Sequence, residues 1–173
     1  MCRPTWCLVC RGLSSVILFL YRCIAGGFPF AAFAVTPAVN AQLFKGDHGG
    51  TYCGNPLGCA ASLAVVDYLI EEDVAARVTV AGQQLLGGLR QLQRAYPSLI
   101  REVRGRGLLC ALELPGDAEV QAVTQACLDL GLIVTPTRNR VVRLIPYLLV
   151  TSAEIEEGLR RLDAALSRVV HYL

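Results

Sequence analysis

The sequence predicts an α/β chain that ends in a small α+β domain. After Pro97, short β-prone runs alternate with helical patterns, which is typical of a sheet covered by helices. Before Pro97, residues 56–70 are rich in Ala, Leu and Val with few charges, which predicts a helix buried nearly all round. The chain is 54% hydrophobic and 17% charged, with a net charge of +2. This composition argues against disorder and against nucleic-acid binding.

The elements of the first half follow from local patterns. Residues 30–35 are apolar and predict a buried strand, and residues 36–44 predict a short helix. Asn55 is a good helix cap and Pro56 fits the first helical position, so the long apolar helix is expected to begin there. A second long helix is expected over residues 73–96.

The second half predicts four short strands and two helices. One helix is expected over residues 118–130, with Gly131 as its C-cap. The last helix is expected to begin with Ser152 as its N-cap. The strands are expected at residues 100–103, 108–114, 133–135 and 141–145.

The sequence pattern of residues 1–24 differs from that of the rest of the chain. An apolar stretch over residues 13–21 has about the length of a signal-peptide core, but it is too short to cross a membrane, which takes about 20 apolar residues. Cys7 and Cys10 have zinc-like spacing without a second pair, so no metal site is predicted. Four further cysteines lie among small and apolar residues and are expected to be buried free thiols in a reducing compartment: Cys53, Cys59, Cys110 and Cys127.

The most informative stretch is a glycine-rich loop, GDHGGTYCG at residues 46–54, followed directly by Asn55-Pro56. Glycines let the backbone bend tightly and approach a ligand, and Thr51 adds a free hydroxyl. Such a loop before a helix N-terminus suits an anion or a phosphate. The same spacing also fits a capped helix after a flexible loop. A histidine in such a loop, His48, is expected to be structural rather than an acid–base group.

Four blocks of the sequence resemble the class III pyridoxal-phosphate-dependent aminotransferases, and among these the acetylornithine branch most. In chain order the blocks are GGFP at 26–29, the loop with its helix start at 46–61, EVRGRGL at 102–108, and GLIV at 131–134 with VVRLIP at 141–146. The resemblance covers residues 25–169.

The resemblance implies the C-terminal part of a fold-type I pyridoxal-phosphate-dependent transferase, with the end of the large domain plus a small α+β C-terminal domain. It divides the chain into an atypical segment over 1–24 that is unrelated to the family, the end of the large cofactor-binding domain over 25–80, and the small domain over 81–173. The expected cofactor is pyridoxal 5'-phosphate, and the parent enzyme is expected to be a cytoplasmic homodimer. No nucleic acid or membrane is expected as a partner.

Three residues receive roles from the resemblance. Thr51 binds the cofactor phosphate of the other subunit. Arg143 receives the α-carboxylate of the amino or keto acid, because the forked guanidinium group can form two hydrogen bonds with a carboxylate. The alternative is an edge-strand arginine that reaches solvent. Gly50 stands where acetylornithine enzymes usually have a serine that contacts the acylated substrate, so it offers no hydroxyl there.

The lysine that holds the cofactor in the resembled family falls on Arg22. Two sequence spacings of the resembled family agree on this position. One is the spacing from the lysine to the GGFP turn, and the other is the 29 residues from the lysine to the threonine that corresponds to Thr51. A guanidinium stays protonated and is not a usable amine nucleophile. No catalytic residue is therefore expected in this chain, and residues before Ala25 are interpreted as a foreign sequence joined to an enzyme fragment.

The expected parent reaction transfers the amino group of N-acetylornithine, or a similar ω-amino acid, to 2-oxoglutarate, as in arginine biosynthesis. Succinylornithine, ornithine and 4-aminobutyrate stay open as donors. One alternative is a non-catalytic, truncated paralogue that contributes only a loop to a dimer partner. Another is a small exported or membrane-anchored protein, directed by residues 13–21.

Overall fold

The computed structural model describes residues 17–20 and 22–172, which fall into two compact units. The first unit extends to Ala75 and the second begins at Ala76. The domain boundary that the sequence places near residue 80 stays a prediction, as does the separate origin of residues 1–24.

The first unit contains a two-stranded antiparallel ribbon and two helices. Strand β1 is Ile17–Leu20 and strand β2 is Ala32–Val35, with a 3₁₀ turn at Arg22–Ala25 between them. Helix α1 is Pro37–Asn40 and helix α2 is Pro56–Glu71. The predicted strand and both helices are therefore present. The predicted burial of the strand is wrong, since no residue of β2 is buried and Phe33 is 48% exposed. The ribbon hydrogen-bonds part of the predicted atypical segment to residues that follow it.

Helix α2 begins where the sequence predicts but is not buried as predicted. The Asn55 side chain accepts a hydrogen bond from the Gly58 N–H at 3.1 Å, so it caps the helix as expected. Only Gly58 and Ser62 are buried in α2, whereas Leu57 and Leu63 are 64% and 61% exposed. The prediction of all-round burial is wrong because the described residues cover only one stripe of this apolar helix.

The second unit packs three helices and a four-stranded antiparallel sheet in the order β3-β4-β6-β5. All four predicted strands and all three predicted helices are present, with ends shifted by a few residues. The elements are α3 Val74–Ala95, which starts just before the unit boundary, then β3 Glu102–Arg106, β4 Leu109–Glu113, α4 Asp117–Asp129, β5 Thr135–Thr137, β6 Val141–Leu144 and α5 Ser152–Tyr172.

One face of this sheet forms the core with the helices. Side chains alternate along a strand, so Cys110 and Leu112 of β4 share a face with Val142 of β6, and all three are buried. The opposite face carries most of the sheet's charged side chains, together with the buried Val141 and the exposed Leu109. Apolar side chains from the helices complete the core, including Leu85, Leu89, Val120, Val123, Cys127, Ile155, Leu162, Ala165 and Leu166.

Two helix ends in this unit test the caps that were predicted from the local sequence. Gly131 adopts a φ of +73° after α4, and the Leu132 N–H donates to the Cys127 carbonyl at 2.8 Å, which confirms the predicted C-cap. At the start of α5 the cap is Thr151 and not Ser152. The Glu154 N–H donates to Thr151 Oγ1 at 3.3 Å while Glu154 Oε2 accepts from the Thr151 N–H at 2.8 Å. This reciprocal pair is a capping box, which a serine one residue later cannot form.

The described cysteines divide between the two units. Cys110 and Cys127 are buried free thiols as predicted, and burial raises the pKa of Cys127 to about 11. Cys53 and Cys59 are free but exposed, so their predicted burial is wrong. The reason is the same as for α2: their loop and helix face are not covered by the described residues.

Two further sequence features fall mainly outside the described residues. Cys7 and Cys10 lie there, and residues 17–172, apart from Tyr21, contain no cluster of three or more potential metal ligands. The apolar stretch over residues 13–21 is described only at residues 17–20. Within the described part of the chain, no helix is long and apolar enough to cross a membrane.

Candidate functional site

The glycine-rich loop is an exposed series of tight turns before α2. The Asp47 carboxylate accepts a hydrogen bond from the Phe44 N–H at 2.7 Å, which closes a first turn around Lys45 and Gly46. The Cys53 N–H donates to the Gly50 carbonyl at 3.0 Å and closes a second turn. Glycine is required at Gly49 and Gly54, where φ is +143° and +68°.

Thr51 lies inside the second turn with its side chain exposed, and no described residue forms a hydrogen bond with its hydroxyl. Gly50 immediately precedes it. A Cβ at Gly50 would lie 3.7 Å from Cys53 Sγ, an ordinary van der Waals contact. Space therefore does not exclude a serine at residue 50, and the missing hydroxyl is a property of this sequence rather than of its fold.

His48 contacts the ribbon of the first unit. Its ring meets that of Phe33 edge to face, with centroids 5.8 Å apart at 76°. An aromatic contact of this kind anchors the loop to β2. This geometry agrees with the structural role expected for His48.

Arg143 occupies the centre of the polar face of the second unit's sheet. It lies in β6 between Ala111 of β4 and Thr135 of β5, so the strand is internal and not at an edge, although the side chain does reach solvent as the alternative expects. The side chain is exposed, and no described residue pairs with it. A free guanidinium flanked by two small side chains is open to a bidentate carboxylate.

Arg104 shows what a structural arginine looks like on the same sheet face. It lies opposite Ala111 on the other side, and its Nη1 contacts Glu102 Oε2 at 2.9 Å and Glu113 Oε2 at 2.8 Å. The Glu113 carboxylate raises the pKa of Arg104 further above its ordinary value. Arg104 is already satisfied, so Arg143 is the better candidate for an incoming anion.

The connection after β6 is fixed by residues that the sequence analysis missed. Glu154 accepts hydrogen bonds from the Tyr147 hydroxyl at 2.7 and 2.8 Å as well as from Thr151. These donors, with the Thr151 N–H the strongest, hold the pKa of Glu154 below its ordinary value. The spacing of Thr151 and Glu154 is the capping-box signal that could have revealed this network.

The expected site needs a lysine amine to hold the cofactor, so the positions of Arg22 and Lys45 are compared with that requirement. Arg22 begins the 3₁₀ turn after β1. Lys45 is the only lysine in the sequence, beside 15 arginines. It is exposed in the first turn of the loop, and no described residue pairs with it.

The structure brings some of the predicted site residues together. Gly50 and Thr51 share one loop of the first unit, in which Lys45 also lies. Arg143 belongs to the second unit.

Comparison with known proteins identifies the family of this chain. The family model "Aminotransferase class-III" matches residues 4–166. The chain belongs to the class III aminotransferases. The match includes most of residues 1–24, although the sequence analysis sets that segment apart.

Curated relatives of this class III chain include acetylornithine aminotransferases. The chain is 38% identical to the enzyme of Thermosynechococcus vestitus over 166 residues, which is 95% of this chain and 40% of that protein. It is 37% identical to the mitochondrial enzyme of Neurospora crassa over 154 residues, 89% of this chain and 33% of the relative. The chain thus spans about a third to two fifths of these relatives.

Solved structures give the same fold. The ornithine aminotransferase of Toxoplasma gondii matches with a TM-score of 0.84 and 33% identity, over 92% of this chain and 38% of that one. The acetylornithine aminotransferase of Elizabethkingia anophelis matches with a TM-score of 0.82 and 26% identity, over 91% and 42%. The α/β architecture is therefore that of one part of an aminotransferase.

Pyridoxal phosphate is the cofactor of this family. The described residues fit the phosphate end of this cofactor but not the end that bonds to a lysine. The exposed turns around Thr51 suit a phosphate, since hydroxyl and backbone N–H groups favour an anion there. The end that bonds to the protein needs a lysine amine. The only lysine in the sequence is Lys45, which is exposed to solvent on a loop. No reaction step through the cofactor is therefore assigned to this chain.

Proposed function

We propose that this chain is the C-terminal portion of an acetylornithine-type aminotransferase. The observation that supports this most is the identity of 35–38% to acetylornithine aminotransferases over 84–95% of the chain. The proposed parent reaction transfers the amino group of N-acetylornithine to 2-oxoglutarate. The four free cysteines among the described residues support a reducing, cytoplasmic compartment.

In this proposal Arg143 binds the α-carboxylate of the amino or keto acid. Its position in an internal strand fixes the backbone, and the small neighbours Ala111 and Thr135 leave room for a ligand. A charge-assisted bidentate pair contributes about 1.5–3 kcal/mol. Loss of the guanidinium should therefore weaken dicarboxylate binding roughly tenfold to a hundredfold.

Thr51 is proposed to bind the cofactor phosphate of the partner subunit in a homodimeric parent. A parent enzyme with lysine at residue 22 allows a test with mixed dimers. One subunit would lack that lysine, and the other would carry Thr51→Ala. If Thr51 acts on the neighbouring site, the lysine-bearing site keeps an intact threonine and binds the cofactor normally. Binding as weak as in the Thr51→Ala homodimer would place the hydroxyl in its own subunit's site instead.

Gly50 is proposed to set the amino donor. The position has room for a serine, yet this chain has no hydroxyl there to contact an acyl group. Discrimination through one hydrogen bond can reach several orders of magnitude when the site is built around it. Acetylornithine should therefore be preferred over ornithine less strongly than in enzymes with serine at this position.

A chimera tests the proposed activity. Residues 25–173 would replace the matching part of the Thermosynechococcus enzyme, which keeps its own residue at the position of Arg22. Glutamate formation from N-acetylornithine and 2-oxoglutarate is the expected activity. Glutamate formation from another ω-amino acid alone would contradict the proposed donor, and a folded but inactive chimera would contradict the proposed reaction.

Three variants of the chimera separate the roles of its residues. Arg143→Gln should raise the KM for 2-oxoglutarate tenfold to a hundredfold, whereas Arg138→Gln, a matched change in the nearby loop, should alter it less than twofold. Gly50→Ser should raise the preference for N-acetylornithine over ornithine. An equal effect of the two arginine changes would remove the assignment of Arg143.

A non-catalytic subunit is the second candidate function. The arginine at residue 22 and the exposed position of the only lysine favour it. In that case the isolated chain shows no amino transfer although its residues support transfer in the chimera.

A further inference from the structure

The guanidinium of Arg143 is not held in place by another side chain. Arg104, on the same face of the sheet, contacts two carboxylates, whereas no described residue pairs with Arg143. A long side chain without such contacts takes its position from its backbone and its rotamer. The position of the Arg143 guanidinium therefore depends on how firmly the end of β6 is held.

The sheet holds the end of β6 less firmly than its centre. Strand β5 is only three residues long, and its pairing with β6 begins at Thr135, opposite Arg143. The next residue, Leu144, has Cys110 of β4 as its partner and none in β5 among the described residues. Arg143 is thus the last residue of β6 that is paired on both sides. Strand ends of this kind open more readily than strand centres.

The connection from β6 to α5 is not closely packed on its inner side. A cavity of about 220 Å³ lies between this connection and the helices α3 and α5. It is lined by Ile145, Pro146 and Val150 of the connection and by Leu85, Ile155 and Leu159 of the helices. A gap of this size removes dispersion contacts that would otherwise hold the connection. The position of the connection therefore depends on hydrogen bonds at its outer side.

The Tyr147 side chain joins this connection to the first turn of α5. Its hydroxyl donates to the Glu154 carboxylate, with 2.8 Å to Oε1 and 2.7 Å to Oε2. The Val150 N–H donates to the Tyr147 carbonyl at 3.1 Å and closes a turn. The start of α5 is itself held to α3, because Gln84 Nε2 donates to Ser152 Oγ at 2.7 Å. Tyr147 therefore links the end of β6 to a fixed part of the helical layer.

Resting on the proposed function of Arg143, we propose that Tyr147 is a positioning residue for substrate binding. Through Glu154 it holds the end of β6, and with it the Arg143 guanidinium, where the α-carboxylate binds. The tyrosine acts through Arg143 and contributes no group to the reaction. Both substrates of the proposed reaction carry an α-carboxylate, so loss of the Tyr147 hydroxyl should weaken the binding of both.

Tyr147→Phe in the chimera that carries residues 25–173 tests this role. The variant keeps the ring and removes only the hydroxyl, so the fold is retained. We expect the KM values for N-acetylornithine and 2-oxoglutarate to rise together by about threefold to tenfold, less than in Arg143→Gln, while kcat changes by less than about twofold. A merely structural loss would lower kcat through the amount of active enzyme and leave both KM values unchanged. That result would overturn the inference.

Tyr96→Phe is the matched control. The Tyr96 hydroxyl donates to Asp163 Oδ1 at 2.7 Å, so this variant also removes a hydrogen bond from a tyrosine to a carboxylate of α5. Neither residue belongs to β6 or to the connection that follows it. We expect unchanged KM values in Tyr96→Phe. Equal KM changes in the two tyrosine variants would contradict the role of Tyr147.

Amide exchange in the full chain tests the physical link without any activity. We expect exchange over residues 142–145 to be at least about threefold faster in Tyr147→Phe than in Tyr96→Phe, because only the first variant loosens the end of β6. Equal exchange at these residues in both variants would show that the Tyr147 hydroxyl does not hold the strand end, and the inference would be wrong.

The proposed function fails in a different way from this inference. If Arg143→Gln leaves both KM values unchanged, the carboxylate assignment of Arg143 is wrong, and the role of Tyr147 is wrong with it. If Arg143→Gln raises them but Tyr147→Phe does not, only the role of Tyr147 is wrong. If the chimera is folded but inactive, the parent reaction is wrong, and the Kd for 2-oxoglutarate replaces KM in the same comparison.

Discussion

An alanine at Gly82 should destabilise the second unit, whereas an alanine at Gly87 in the same helix should stabilise it. A Cβ at Gly82 would lie within 2.6 Å of the Cα, C and O atoms of Gly107, in the turn between β3 and β4. A Cβ at Gly87 meets no atom within 4 Å. The close approach at Gly82 joins α3 to the sheet that carries Arg143.

The magnitudes follow from these two environments. Replacing a helical glycine by alanine stabilises a helix by about 1 kcal/mol, and Gly87→Ala should show most of this gain. Overpacking costs about 1–3 kcal/mol, and the upper end applies at Gly82 because the obstacle is backbone. Gly82→Ala should therefore lower the free energy of unfolding by about 2 kcal/mol, a difference of about 3 kcal/mol between the variants.

Urea unfolding of the full chain measures this difference. Circular dichroism would follow the helices, and amide exchange at the buried residues Leu112 and Val142 would report the second unit. Gly88→Ala serves as an intermediate case, because the three atoms nearest to its Cβ would all belong to the side chain of Leu159, which can rotate. A midpoint for Gly82→Ala at or above that of Gly87→Ala would refute the packing argument.

Three further predictions concern charge, burial and the lone amine. Ser62→Ala should stabilise the first unit by about 1 kcal/mol, because the Ser62 hydroxyl is buried and has no described hydrogen-bond partner; faster amide exchange in α2 would contradict this. Hydrogen bonds from Arg160 and then Arg161 lower the pKa of Glu157 from 4.5 to about 2. The ionised carboxylate therefore contributes stability above about pH 4.5 that is lost as the pH falls toward 2. Glu157→Gln should flatten this acid limb of the Tm–pH curve, and a curve parallel to the unaltered protein would disprove it. Borohydride reduction with pyridoxal phosphate should give no stoichiometric adduct on the isolated chain, and any trace adduct should be confined to Lys45 and the α-amino group, with Lys45→Arg removing only the first; a full adduct at another residue would show an unrecognised site.

The sequence by itself determined the elements whose signals are local. The Asn55-Pro56 start of α2 and the Gly131 end of α4 depend on hydrogen bonds between residues a few positions apart. Strands β4 and β6 follow from short apolar runs, and the alternation along β4 separates its buried side chains from its less buried ones. Strands β3 and β5 begin near the predicted runs but extend into polar residues. The same locality makes the loop around Thr51 recognisable, since its turns close within a few residues.

Only the tertiary structure decided which surfaces are covered and which charges are paired. The apolar composition of α2 predicts burial, but Leu57 and Cys59 are exposed because no described element packs on that side. Arg104 and Arg143 look alike in sequence, yet Arg104 forms ion pairs with Glu102 of its own strand and Glu113 of the neighbouring strand, whereas no described carboxylate pairs with Arg143. Burial and pairing depend on contacts between residues distant in the chain, and a local pattern does not specify those contacts.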